Sequence, residues 1–164
     1  VTAKLDHVAE FDQAWPDPRN TAVDLPPVDV NQVLRDRYHL DRELTYTRTM
    51  LWDMEKRKAH APDVYLPSVV KPDSVGKWAS DVEDEFTRVS EQRLWLAPDI
   101  FGTVIEHVRL DHDRRSAVFI GVARHTTPDG RELTADTRHN RCSTSTTGWK
   151  EKRTGRSTGG GSCT

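Results

Sequence analysis

Cysteine is missing from the body of this 164-residue chain: Cys142 and Cys163 both lie within residues 141–164. That distribution excludes a disulfide framework and a Cys-based zinc site, and it fits a cytoplasmic home. Long apolar runs are absent too, and Val1-Thr2-Ala3-Lys4 begins nothing like a signal peptide, so no membrane partner is expected. The chain starts without Met, as a processed or trimmed chain would. Neither charge sign dominates. With 24 Lys and Arg against 26 Asp and Glu, the net charge of -2 gives no global attraction to nucleic acid or anionic lipid. CxxC and any glycine-rich phosphate loop are lacking, so no motif signals a nucleotide cofactor.

What is present describes one domain with much solvated surface: 30% of residues are charged, and the mean hydropathy is -0.74. Arginine heavily outnumbers lysine, a bias associated with GC-rich bacterial genomes. The basic clusters EKRKAH and HDRR have no interleaved aromatics, which argues against a nucleic-acid partner.

Residues 1–29 read as an irregular arm punctuated by Pro16, Pro18, Pro26 and Pro27, with Leu5, Val8, Phe11 and Trp15 able to form one amphipathic turn. Residues 30–140 read as a single α+β domain. From Val30 to His60 neither proline nor glycine interrupts the chain, which predicts one or two helices with a break near His39 and Asp41 as an N-cap. Leu44, Thr47, Leu51 and Met54 supply the core stripe, and Tyr46, Met50 and Asp53 a second stripe beside it. VYLPSVV reads as a short edge strand. A third helix follows, capped by Asp73 or Ser74, with Val75, Trp78, Val82, Phe86 and Val89 on one face; the alternative makes FTRVSEQRLWL a strand. TVIEHVRL, SAVFIGVARH and RELTADTRH then alternate as three consecutive strands joined by DHDRR and TTPDG.

In simple register, one sheet face carries Val104, Glu106, Val108, Leu110, Val118, Ile120, Val122, Leu133, Ala135, Thr137 and His139, and packs on the helices. The other carries Ile105, His107, Arg109, Phe119, His125, Asp136 and Arg138. Glu106 and His139 do not belong on an apolar face. A buried carboxylate beside an imidazole suits general acid–base chemistry, because burial and pairing bring either pKa toward neutrality. The plainer alternative is a rim position, with Glu106 reaching water or an arginine. His107 and His125 meet on the mixed face, yet no HxH, HxxxH or HExxH spacing supports a metal site. Tyr46, Asp53 and Trp52 are candidates to line a pocket between helix and sheet, or else core and rim residues.

The order helix, extended piece, helix and antiparallel meander, with the hairpin TTPDGRE, resembles the NTF2-like (SnoaL-like) α+β cone over residues 30–140. The resemblance implies N-terminal helices packed on a curved antiparallel sheet and a cavity between them. It also implies a homodimer through the outer sheet face, and functions from isomerase, dehydratase and cyclase to plain binding. The alternative fold is a lipocalin-like antiparallel barrel. Two functions follow. One is cofactor-independent acid–base catalysis on a small-molecule ligand, with Glu106 and His139 as the pair and Tyr46, Asp53 and Trp52 orienting the substrate. The other is a non-catalytic ligand-binding or subunit-assembly module.

After His139 the character changes abruptly to RCSTSTTGWKEKRTGRSTGGGSCT, which reads as a disordered tail or a shifted reading frame. With suitable codons, the neighbouring frame of this stretch gives PLFHVDHGVEGEEDRPLNRWRIVH, two patterned strands around a polar turn. In that case two strands of the parent sheet are replaced here.

Overall fold

The computed structural model describes residues 9, 12–13, 16–18, 26–38, 40, 43–94, 97–136 and, for the backbone alone, 145–147. The break expected inside Val30–His60 divides two helices. Helix α1 (Val30–Arg37) starts where Asp29 accepts the Gln32 N–H at 3.0 Å. Helix α2 (Arg48–His60) starts where Thr47 Oγ1 accepts the Met50 N–H at 3.3 Å. Asp41, the expected cap, lies outside the described residues. Basic Arg57, Lys58 and His60 occupy the last turn of α2, where they complement the helix dipole. Pro62 then restricts Ala61 and opens a single turn, α3 (Pro62–Tyr65), over the start of the expected edge segment, while Val70 near its end bridges Gln92 antiparallel. The core stripe of α2 is Leu51, Trp52, Glu55 and Ala59, while Met54, assigned to that stripe from the sequence, is exposed. Among the described residues no helix is long and apolar enough to cross a membrane.

The third helix expected after Ser74 does not form. Its residues make β1 (Gly76–Ala79), a turn, and β2 (Glu85–Leu94), which realises the strand alternative for this segment. The spacing of Val75, Trp78, Val82, Phe86 and Val89 imitates a helical face only because a four-residue strand and a turn happen to separate them. Asp84 sits at φ 62, where a helix cannot continue, and Ser80 N–H donates to Glu85 O at 3.1 Å to close the turn. Within β2 the period is two: Phe86, Arg88 and Ser90 take one side, Thr87 and Val89 the other.

Strands β3 (Ala97–Asp111), β4 (Ser116–Gly121) and β7 (Ser145–Thr147) complete an antiparallel sheet in the order β1-β2-β3-β4-β7. The protein is α+β, and its sheet is open, so the barrel alternative falls. The expected register was one residue out. Asp111 joins β3 and shortens the link to His112–Arg115, closed by Arg114 N–H donating to Asp111 Oδ1 at 2.8 Å and by Arg115 at φ 52. Val108 therefore pairs with Phe119, and Leu110 with Ala117. A one-residue slip moves a strand's whole apolar set to the other face. Phe119 accordingly joins the helix side, and Val118 and Ile120 leave it.

The helix-side core is Trp52 and Ala59 of α2 against Phe86, Val108, Leu110, Ala117 and Phe119. The expected third long strand is also shorter than its pattern. The chain leaves the sheet after Gly121, and β5 (Arg124–Thr126) pairs with β6 (Glu132–Thr134) as a separate hairpin. Its turn is the one TTPDGRE foretold: Thr127 O accepts the Gly130 N–H at 2.9 Å, and Gly130 takes φ 85. The hairpin returns to the sheet through Asp136 N–H to Thr103 O at 2.8 Å.

Candidate functional site

Two polar centres flank the sheet. On the helix side Arg88 and Glu106 face each other across β2 and β3, with Nε donating to Glu106 Oε2 at 2.8 Å. Their side chains are only 8% and 14% exposed, so both charges are largely removed from water. Arg88 Nη1 also donates to Ala59 O at 2.8 Å and to Lys58 O at 3.4 Å, the last carbonyls of α2. Its guanidinium carbon lies 4.7 Å from the centre of the Phe119 ring. The arrangement fastens the C-terminal end of α2, where the dipole is negative, to the middle of the sheet. Glu106 thus has an arginine partner, though at a largely buried position and not at a rim.

The contacts of the other described site candidates lie elsewhere. Trp52 is core, and its indole N–H donates to His112 Nδ1 at 3.4 Å. Since an indole can only donate, His112 carries its proton on Nε2, which points to Asp84 Oδ1 at 3.0 Å. Asp53 sits one position along α2 and points outward to Arg57 at 2.8 Å and Lys56 at 3.5 Å. The hydrogen bond from Arg57, and then its charge, hold the Asp53 carboxyl below the usual carboxylate range. Tyr46 is joined to α1 through its backbone: its N–H donates to Asn31 Oδ1 at 2.7 Å, and its carbonyl accepts from Asn31 Nδ2 at 2.9 Å. His139 lies outside the described residues. Glu55, also buried on α2, has Lys58 Nζ 2.6 Å from Oε2, an ion pair outside hydrogen-bond geometry.

The second centre lies on the face away from α2. Here β1, β2 and β3 align Trp78, Thr87 and His107, and Thr87 Oγ1 is 2.8 Å from His107 Nδ1. The β5–β6 hairpin folds across this face and lays His125 over them. Its ring centroid is 5.2 Å from that of Trp78 and 6.1 Å from that of His107, the latter edge-on at 78°. His125 Nε2 is buried without a hydrogen-bond partner. Burial pushes this imidazole below the usual histidine range, which favours its neutral form. His107 and His125 come together as expected, but through the separate β5–β6 hairpin and not through a continuous strand. Trp78 was not legible in the sequence, because its segment imitates a helix, and Arg88 gained meaning only once residues 85–94 were a strand. Among the described residues no three His, Cys, Asp or Glu side chains are grouped to hold a metal ion.

No protein-family model, curated protein or solved structure matches this chain.

Proposed function

We propose that this chain is a non-catalytic ligand-binding or subunit-assembly module built on an NTF2-like cone. The observation that carries this reading is the Arg88–Glu106 pair. The carboxylate placed to act as a base is instead held by a buried guanidinium that also binds the end of α2. A group so engaged fastens the end of α2 to the sheet through Arg88. The ligand class is a small organic molecule, and the assembly is a homodimer. No nucleic acid, metal or cofactor enters the reading.

A ligand found by thermal-shift screening of the wild-type chain tests it. The Arg88→Met/Glu106→Leu double variant replaces the pair with apolar groups of similar size, a change that is often neutral. It should still bind that ligand. Sedimentation equilibrium across a concentration series tests the dimer. Loss of binding in a folded double variant would overturn this reading, and turnover of the ligand by the wild type would favour catalysis instead.

One observation supports that second reading, cofactor-independent acid–base chemistry of the isomerase, dehydratase or cyclase type. His125, neutral through burial, lies beside a His107 that Thr87 orients. On this reading His125→Gln, rather than Glu106→Gln, abolishes turnover.

A further inference from the structure

The β5–β6 hairpin is a separate two-stranded sheet laid across the far face of the main one. Each of its strands is three residues long, and in both only the middle residue is partly buried. His125 and its cross-strand partner Leu133 therefore point inward. Arg124 and Glu132 stay on the exposed side, 3.6 Å apart. The hairpin is hinged on the sheet at its base. Val122 N–H donates to Ile105 O at 2.9 Å as the chain leaves, and Asp136 N–H donates to Thr103 O at 2.8 Å as it returns. A two-stranded ribbon this short is not stable by itself in water. Its closed position depends on what its inward side chains meet.

What His125 meets suits a neutral ring. Beneath it Trp78, Thr87, His107 and Ile120 align across β1, β2, β3 and β4. Its Nε2 is buried without a hydrogen-bond partner. A neutral imidazole can keep that nitrogen free of a proton, whereas a charged one carries protons on both nitrogens and needs an acceptor at each. Among the described residues the carboxylates on this face of the sheet already have cations, Glu85 with Arg109 at 3.7 Å and Glu91 with Lys71 at 2.5 Å. From β3 comes His107, where a second imidazolium would repel the first. β1 presents Trp78 and β4 presents Val118 and Ile120, none of them charged. On the hairpin itself Asp129 accepts from Thr127 in the turn, beside Arg131, and Asp136 lies at the base. Burial lowers the His125 pKa, so protonation favours the state that returns the ring to water.

We propose that the β5–β6 hairpin is a pH-dependent cover for the far face of the sheet, closed while His125 is neutral and released when it is protonated. Release exposes Trp78, Thr87 and His107 while the β1-β2-β3-β4 pairing stays intact. The closing contribution is complete above the ordinary histidine value of 6.5 and is lost as the pH falls through it toward the lowered one.

Hydrogen exchange of the full chain at about pH 7.5 and about pH 5.5, corrected for the intrinsic pH dependence of amide exchange, tests this. The Ala135 and Asp136 amides report the hairpin, and the β2 and β3 amides report the sheet. Hairpin protection should fall by a factor approaching about tenfold, the limit for one group of ordinary value 6.5 that stays neutral in the closed state. Sheet protection should hold. In the wild type the His125 ring resonances should titrate with the same midpoint as the hairpin amides. His125→Phe keeps an aromatic ring on Trp78 without the titration, and His125→Gln keeps a polar side chain. In either variant that closes at about pH 7.5, hairpin protection should change by less than about twofold. Loss shared equally by the sheet amides, loss that persists in His125→Phe or His125→Gln, or separate midpoints in the wild type would overturn the proposal. No readout needs a ligand, so the outcome is independent of the binding reading.

Discussion

Arg88 shows how one side chain can decide the meaning of another. Glu106 alone on the helix-facing side of the sheet invites a catalytic role, because an unpaired buried carboxylate is costly. With Arg88 2.8 Å away the same carboxylate neutralises a cation that in turn caps α2. Removing one partner leaves the other buried and unpaired. Glu106→Ala should therefore cost about 3–5 kcal/mol in urea denaturation, whereas the Arg88→Met/Glu106→Leu double variant should lose far less. Similar losses in both would show that the pair's charge is not what matters. Burial lowers the His125 pKa, and burial with the charges of Lys77 and Arg88 lowers that of His60. Each ring is then easier to protonate in the unfolded chain than in the folded one. Their contribution is fully present above the unfolded value near 6.5 and is lost as the pH falls through that value toward the folded one. The urea midpoint should fall between about pH 7.5 and about pH 5.5, and fall less in His60→Gln/His125→Gln. A midpoint drop of equal size in that variant would assign the loss to carboxylates instead.

Each element depends on a few end residues. Thr47 starts α2 by accepting the Met50 N–H, so Thr47→Ala should cost about 1 kcal/mol and Thr47→Ser much less. The β5–β6 hairpin depends on Gly130, whose φ of 85 suits glycine although a Cβ there would meet nothing within 4 Å. Gly130→Ala is thus a test of backbone strain alone, expected to destabilise by about 1 kcal/mol. Because the hairpin carries His125 onto Trp78, this variant should also alter the indole environment, read as a fluorescence change that a Trp78→Phe background abolishes. At Gly76 the constraint is space: a Cβ would come 2.9 Å from Val89 Cγ1 and 3.1 Å from Trp78 Cη2. The close β1–β2 crossing that forms the floor of the far-face cluster needs glycine there for lack of room.

For the molecule as a whole, the described sheet ends at the three-residue β7. Its core lies between α2 and β2, β3 and β4, so the strand after β4 borders buried residues on both faces. Sequencing the coding DNA across codons 135–164, with the intact mass of the purified chain, gives a direct check. A one-base insertion or deletion near codon 140 would mark the stretch as a shifted frame. An unbroken frame shared by related genes would assign the Ser/Thr/Gly-rich stretch to the native protein.

Alternation and turn chemistry were enough to specify an α+β protein with an antiparallel meander, a TTPDGRE hairpin and helices on either side of a break near His39. These features rest on near-neighbour physics: the period of two, caps, and the residues that tolerate a left-handed backbone. They were not enough to separate a helix from a hairpin between Val75 and Val89, where both periods fit the same apolar residues and Asp84's turn settled the matter. Nor could they fix the register between β3 and β4, because one residue of loop length, the inclusion of Asp111 in β3, exchanges the faces. Local pattern records which residues avoid water. That Glu106 meets the guanidinium of Arg88 depends on strands 18 residues apart in sequence, and only their pairing in space decides it.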